Sequence, residues 1–243
     1  AVRGPAARML SRLRGGTGPQ QVTDCYKELL DALVIDEADA GEEAGVRTIV
    51  LVGPSHFIPF RGASIWPAGA WETPFGPVPV DDDLAAAIAA ESREIFERPD
   101  AHGREHSLEM QLPFVAHLLP GVAIVPLVMG YQTRDAAFGL GDAIARAVEM
   151  TTKDRAGDSG VLLVASSDLS HYEDAVTAAR MDSVILNHVG ALDPMGLMDA
   201  LEREPRHACG GGPMVAVLHA ARRLGAAHAR VLHYADSGDV SGD

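Results

Sequence analysis

The residues best able to do chemistry stand where apolar segments stop. Val161-Leu-Leu-Val-Ala-Ser-Ser-Asp-Leu-Ser-His-Tyr172 runs from five apolar residues into a turn carrying the carboxylate of Asp168, the imidazole of His171 and the phenol of Tyr172. Groups of these three kinds exchange protons with bound ligands, and an imidazole does so near neutral pH. Arg47-Thr-Ile-Val-Leu-Val-Gly-Pro-Ser-His56 has the same form and ends in Ser55 and His56. A third group, Cys209-Gly-Gly-Gly-Pro-Met214, puts a thiol at a glycine-rich helix entry. The positive end of that helix is expected to make Cys209 more acidic than Cys25. Taken singly, each residue has a plainer role: Asp168 as a helix cap, His56 as a turn residue, Cys209 as a small buried one. Their common placement at element ends is what points to a site.

The elements that position them follow from the apolar pattern. The run Val161 to Ala165 is continuous rather than alternating, which predicts a strand covered on both faces, and the run ending at Val52 predicts a second. Ligands of open α/β sheets bind beyond the carboxyl ends of the strands, so these two are expected to bring His56, Asp168 and His171 together. Elsewhere the spacing predicts a helix from Gln20 through Leu33 with Cys25 facing the core, and an acidic connection over Asp36 to Glu43. A long ordered loop is expected over residues 57–80 and a helix opened by Asp81, Asp82 and Asp83. The next helix opens at Glu105 and places Glu105 and Glu109 on one face. A strand follows over Val122 to Met129, where Pro126 predicts an edge or a bulge. Helices are then expected at about 134–150, 174–188, 194–202 and from Pro213, a closing strand over Ala229 to Tyr234, and a polar tail from Asp236. The alternation predicts an α/β fold with a central, mostly parallel or mixed sheet and helices on both faces, as one domain over residues 1–243.

Composition removes several function classes. A net charge of −14 and the lack of a basic stripe argue against nucleic acid or an anionic membrane as partner. The longest apolar runs are far too short to span a bilayer, and the N-terminal residues lack a signal-peptide apolar core, so the cytoplasm is the expected compartment. Two cysteines alone in a chain of 243 residues are expected to be reduced.

Taken together, Gly53-Pro-Ser-His56, Thr73-Pro-Phe-Gly76, Glu105-His-Ser-Leu-Glu109 with Gln111-Leu-Pro-Phe114, Ser166-Ser-Asp-Leu-Ser-His-Tyr172 and Cys209-Gly-Gly resemble the Memo family, whose bacterial members are also called AmmeMemoRadiSam system protein B. The match runs from about residue 45 to the end, in the family's order. The family's fold is similar to that of class III extradiol dioxygenases, so the resemblance implies a metal pocket at the carboxyl edge of the sheet. It implies His56 and Cys209 as metal ligands, and Asp168 and His171 as residues for proton transfer or ligand orientation. Glu105, His106, Ser55 and Tyr172 are further pocket candidates, although a carboxylate and an imidazole at a helix start are also ordinary capping residues. Thiolate with imidazole suits iron first, with copper or zinc as alternatives, whereas Mg and Ca prefer oxygen. The reaction implied is that of a metal-dependent oxidoreductase, and the alternative is a protein that binds a small molecule or peptide in the same pocket without turnover. A homo-oligomer is compatible with either. One departure stands out: family members carry an earlier strand ending in Pro-His-Ala-Gly-Tyr, whose His is another ligand, and this sequence has no such motif. Either a substitute ligand serves, or residues are omitted between Arg14 and Asp24; omission is the expectation, because losing strands from a covered sheet is costly.

Overall fold

The computed structural model describes residues 45–153 and 160–235. The expected helix from Gln20, the acidic run, the discontinuity between Arg14 and Asp24 and the tail from Asp236 lie outside the described residues. The fold is α/β, as expected, built on a five-stranded mixed sheet. Its strands are β1 (Thr48–Pro54), β2 (Ala63–Ile65), β5 (Ile95–Glu97), β6 (Ala123–Met129) and β7 (Val161–Ala165), ordered β5-β2-β6-β1-β7. β6, β1 and β7 run parallel, while β2 is antiparallel to β6. A separate hairpin pairs β3 (Ala70–Thr73) with β4 (Gly76–Pro79).

The continuous apolar character of β1 and β6 reflects two cores, one on each face. Val50, Val52, Val125, Leu127 and Met129 pack with Ile144 and Ala216. These last two lie on helices α4 (Arg134–Thr151) and α7 (Gly211–Arg223). Ile49, Leu51, Ile124 and Val128 point the other way, onto Val78, Leu108 and Leu112. With period-two alternation, a strand buried on both faces has no polar side to show. The remaining helices are α1 (Asp82–Ala90), α2 (Pro99–His102), α3 (Leu112–Leu118), α5 (Ala175–Gly190) and α6 (Pro194–Arg203). Asp81, Thr133, Asp174 and Asp193 each accept a backbone N–H at a helix start, satisfying donors that have no partner within the helix.

Five expectations are corrected. β7 is not covered on both faces: none of its residues is fully buried, Leu162 is 41% exposed, and among the described residues it is the last strand of the sheet. Pro126 is not at an edge: β6 sits between β2 and β1. Its carbonyl accepts the Trp66 N–H, and the proline lacks the N–H that would return that bond, at the point where the short pairing with β2 stops. The stretch 57–80 contains β2 and the hairpin, elements of three and four residues too short to show a period. The helix expected from Glu105 starts later, as a 3-10 turn at Glu109–Gln111 followed by α3, so Glu105 and Glu109 share no helical face. No strand forms over residues 229–234.

Candidate functional site

Because β1, β6 and β7 are parallel, the residues following them gather at one edge of the sheet. Chain reversal beyond β1 is set by Ser55, whose N–H donates to the Met129 carbonyl and whose hydroxyl donates to the Ile58 carbonyl at 2.8 Å. His56 comes next. Gly53 is required here: a Cβ on it would lie 2.7 Å from both the Ser107 hydroxyl and the Leu108 side chain. Its absence lets the segment from Glu105 to Leu108 press against the end of β1. Glu105 is thereby buried against His56, taking the His56 N–H on one oxygen and meeting the His56 Nδ1 at 2.9 Å with the other. The same carboxylate accepts the N–H groups of His106 and Ser107, each at 2.9 Å. Burial works to raise its pKa, but the donors converging from His56, Ser107 and His106 outweigh it and hold the carboxyl below the usual range. The His106 ring stacks on that of His56, with centroids 4.9 Å apart.

Beyond β7, Asp168 and Cys209 hold each other through their backbones. The Asp168 N–H donates to the Cys209 sulfur at 3.2 Å, and the Cys209 N–H donates to the Asp168 carbonyl at 3.2 Å. Gly210 permits this approach, since a Cβ there would meet the Ser166 carbonyl oxygen at 2.4 Å. His171 lies with its Nε2 3.9 Å from the Asp168 carboxylate. One ligand atom each from Asp168, His171 and Cys209 falls within 4.8 Å of the others, and the same holds for His56, Glu105 and His106. The structure therefore places all the candidate residues on one edge but in two groups, with Cys209 beside Asp168 and His171, and His56 beside Glu105. Tyr172 points fully into solvent from a left-handed backbone at φ 62°. Burial pushes the Cys209 thiol up, and the Asp168 charge adds to this, so that the N–H groups around the sulfur do not compensate; Cys25, than which it was expected to be more acidic, lies outside the described residues.

Several residues of the edge carry no motif of their own. Gln132, three residues beyond β6, donates its Nε2 to the Cys209 carbonyl at 2.8 Å and accepts the Gly212 N–H at 2.7 Å. It ties the thiol's backbone to the first turn of α7. Ser166 donates its hydroxyl to the Ser107 carbonyl and accepts the Gln111 side-chain amide at 3.1 Å, which joins the two groups. Asp182, buried on α5, accepts the Ser170 N–H and the Tyr234 hydroxyl, each at 2.9 Å. Two signals were available in the sequence: Gln132 follows a parallel strand as His56 does, and Asp182 interrupts the apolar face made by Ala178, Met181 and Ile185. A cleft of about 400 Å³ is lined among others by Glu173, Arg180, Met181 and His207 and by none of the candidate site residues.

The donor set suits a transition ion. Sulfur, imidazole nitrogen and carboxylate oxygen within 4.8 Å of one another match Fe(II), Cu(I) or Zn better than an all-oxygen ion. Among the described residues no helix is long and apolar enough to cross a membrane.

A family model described as Memo-like protein matches residues 38–243. A MEMO1 family protein of Caldivirga maquilingensis is 35% identical over 204 residues, which is 84% of this chain and 70% of that one. One from Thermotoga maritima is 38% identical over 195 residues, 80% of this chain and 66% of its own length. One from Methanothermobacter thermautotrophicus is 37% identical over 196 residues, with 81% and 69% covered. The matched stretch thus spans about two thirds of each relative.

Proposed function

This chain belongs to the Memo family, and from that premise we propose that the carboxyl edge of its sheet is a metal pocket of an oxidoreductase related to extradiol dioxygenases. The observation that carries the reading is the cluster of Asp168, His171 and Cys209, with ligand atoms within 4.8 Å of one another at the edge where His56 also stands. Cys209 would hold the ion, iron first and copper or zinc next, and His56, the partner ligand that the family resemblance implies, stands in the neighbouring group, joined to it through Ser166, Ser107 and Gln111. A bound iron would supply redox and Lewis-acid chemistry. His171 takes or gives a proton on a ligand bound there, and the Asp168 carboxylate, 3.9 Å from its Nε2, orients the ligand. The parent compartment is the cytoplasm, and the ligand a small molecule.

A second reading rests on exposure. The Asp168 side chain is 80% exposed, Tyr172 is wholly exposed, and a cleft with charged walls is lined by Glu173, Arg180 and Arg206. A surface of this kind fits a protein that binds a small molecule or peptide without turnover.

Anaerobic purification with elemental analysis, followed by Co(II) titration, tests the metal reading. The expected result is one tightly held ion per chain and a thiolate-to-metal charge-transfer band that vanishes in Cys209→Ser. Absence of bound metal, with no such band in the unaltered protein, moves the assignment to the binding reading.

A further inference from the structure

We infer that Glu105 is a positioning residue that fixes the proton of His56 on Nδ1 and leaves Nε2 as the bare nitrogen offered to the pocket. The inference rests on the metal reading for its use, but not for its geometry. Four donors reach the Glu105 carboxylate: the backbone N–H groups of His56, His106 and Ser107, and the His56 ring at Nδ1. Three of these are backbone amides, which can only donate, so the carboxylate is held as an acceptor. An acceptor oxygen 2.9 Å from Nδ1 requires the ring proton to lie between them. In a neutral imidazole the other nitrogen is then unprotonated.

The donors are unevenly shared: Oε1 meets the His56 Nδ1 and the N–H groups of His106 and Ser107, while Oε2 takes the His56 N–H. The carboxylate thus serves the imidazole. This is the arrangement in which a carboxylate orients a ligating histidine and raises its basicity. His56 is held at both ends, by its own N–H and its ring, so backbone and ring orientation are fixed by one side chain. The His106 ring stacked at 4.9 Å closes one face of the imidazole and limits its rotation further.

The first test reads the tautomer directly in the unaltered, metal-free protein, by long-range ¹H–¹⁵N correlation spectra of labelled histidine, with His56→Asn for assignment. A protonated-type Nδ1 signal and an unprotonated-type Nε2 signal are expected; a proton on Nε2, or an even mixture, overturns the inference. The second compares Co(II) affinity of the unaltered protein and Glu105→Gln, in which one oxygen becomes an amide that faces donors. A loss of about 10–100-fold is expected, and equal affinity overturns the positioning role. An unaltered protein that binds no Co(II) overturns the metal reading instead. The metal-free tautomer measurement separates that failure from failure of the Glu105 assignment, and it stands even where Glu105→Gln does not fold.

Discussion

Acid should weaken the fold through His102, and the size of the effect follows from its surroundings. The ring is 8% exposed and lies against Trp66 and Trp71, with centroids 5.6 and 5.8 Å away. The Ser64 hydroxyl donates to the Arg98 carbonyl at 3.0 Å, so its oxygen is free to accept the His102 Nε2–H at 2.9 Å. Nδ1 is left buried without a partner. Protonation would place a charge and an unsatisfied N–H there, and burial accordingly lowers the pKa from 6.5 to about 4. Above pH 6.5 the imidazole is neutral folded and unfolded, and contributes nothing to pH dependence. As pH falls below 6.5 the unfolded chain takes the proton first, so stability is lost progressively until about pH 4 and no further. The loss amounts to about 2 kcal/mol at pH 5 and about 3 kcal/mol in full. Urea unfolding of the unaltered protein and of His102→Gln, which keeps a donor for Ser64 and titrates nothing, isolates this contribution from the carboxylates. The stability gap between the two proteins should shrink in favour of the variant by about 3 kcal/mol between neutral pH and pH 4. A gap that stays constant with pH would refute the reasoning. Since α2 leads within three residues to Glu105, the same acid range should loosen the support of His56.

Gln132→Ala removes the link between the Cys209 carbonyl and the Gly212 N–H, and should cost about 1–3 kcal/mol in urea unfolding; an unchanged midpoint would show that water replaces both bonds. Leu51→Ala, at the fully buried centre of β1, should cost about 2–5 kcal/mol. Leu162→Ala on β7 should cost no more than about 1 kcal/mol, and equal losses would mean that β7 is enclosed after all.

What the sequence made legible was local. His56, Asp168 and His171 stand immediately beyond apolar runs, so strand and chemistry are read from the same dozen residues. The partners of Gln132 lie 77 and 80 residues further along the chain, and no spacing announces them. The burial of the Cys209 thiol was hidden for a related reason: the helix entry is visible in Gly210 to Pro213, but the burial that pushes the thiol up comes from distant parts of the fold. Glu105 was seen as a helix opener because its type and place suit one. Its oxygens are instead taken by His56, His106 and Ser107, which holds the start of that segment out of the helix. Similarly, β7 reads as covered on both faces because its five residues are all apolar, and such a run does not reveal that it lies at the end of the described sheet with Leu162 exposed.

The serines of this edge have a consequence for reactivity. Ser55, Ser107, Ser166 and Ser167 each give their hydroxyl proton to a backbone carbonyl, those of Ile58, Pro54, Ser107 and Asp168. A hydroxyl whose proton is pinned to a peptide oxygen has no base to surrender it to, and among the described residues none of these four is bonded to an imidazole. These four hydroxyls are therefore not activated as nucleophiles. Organophosphates and sulfonyl fluorides, which trap activated serine, should leave all four unmodified.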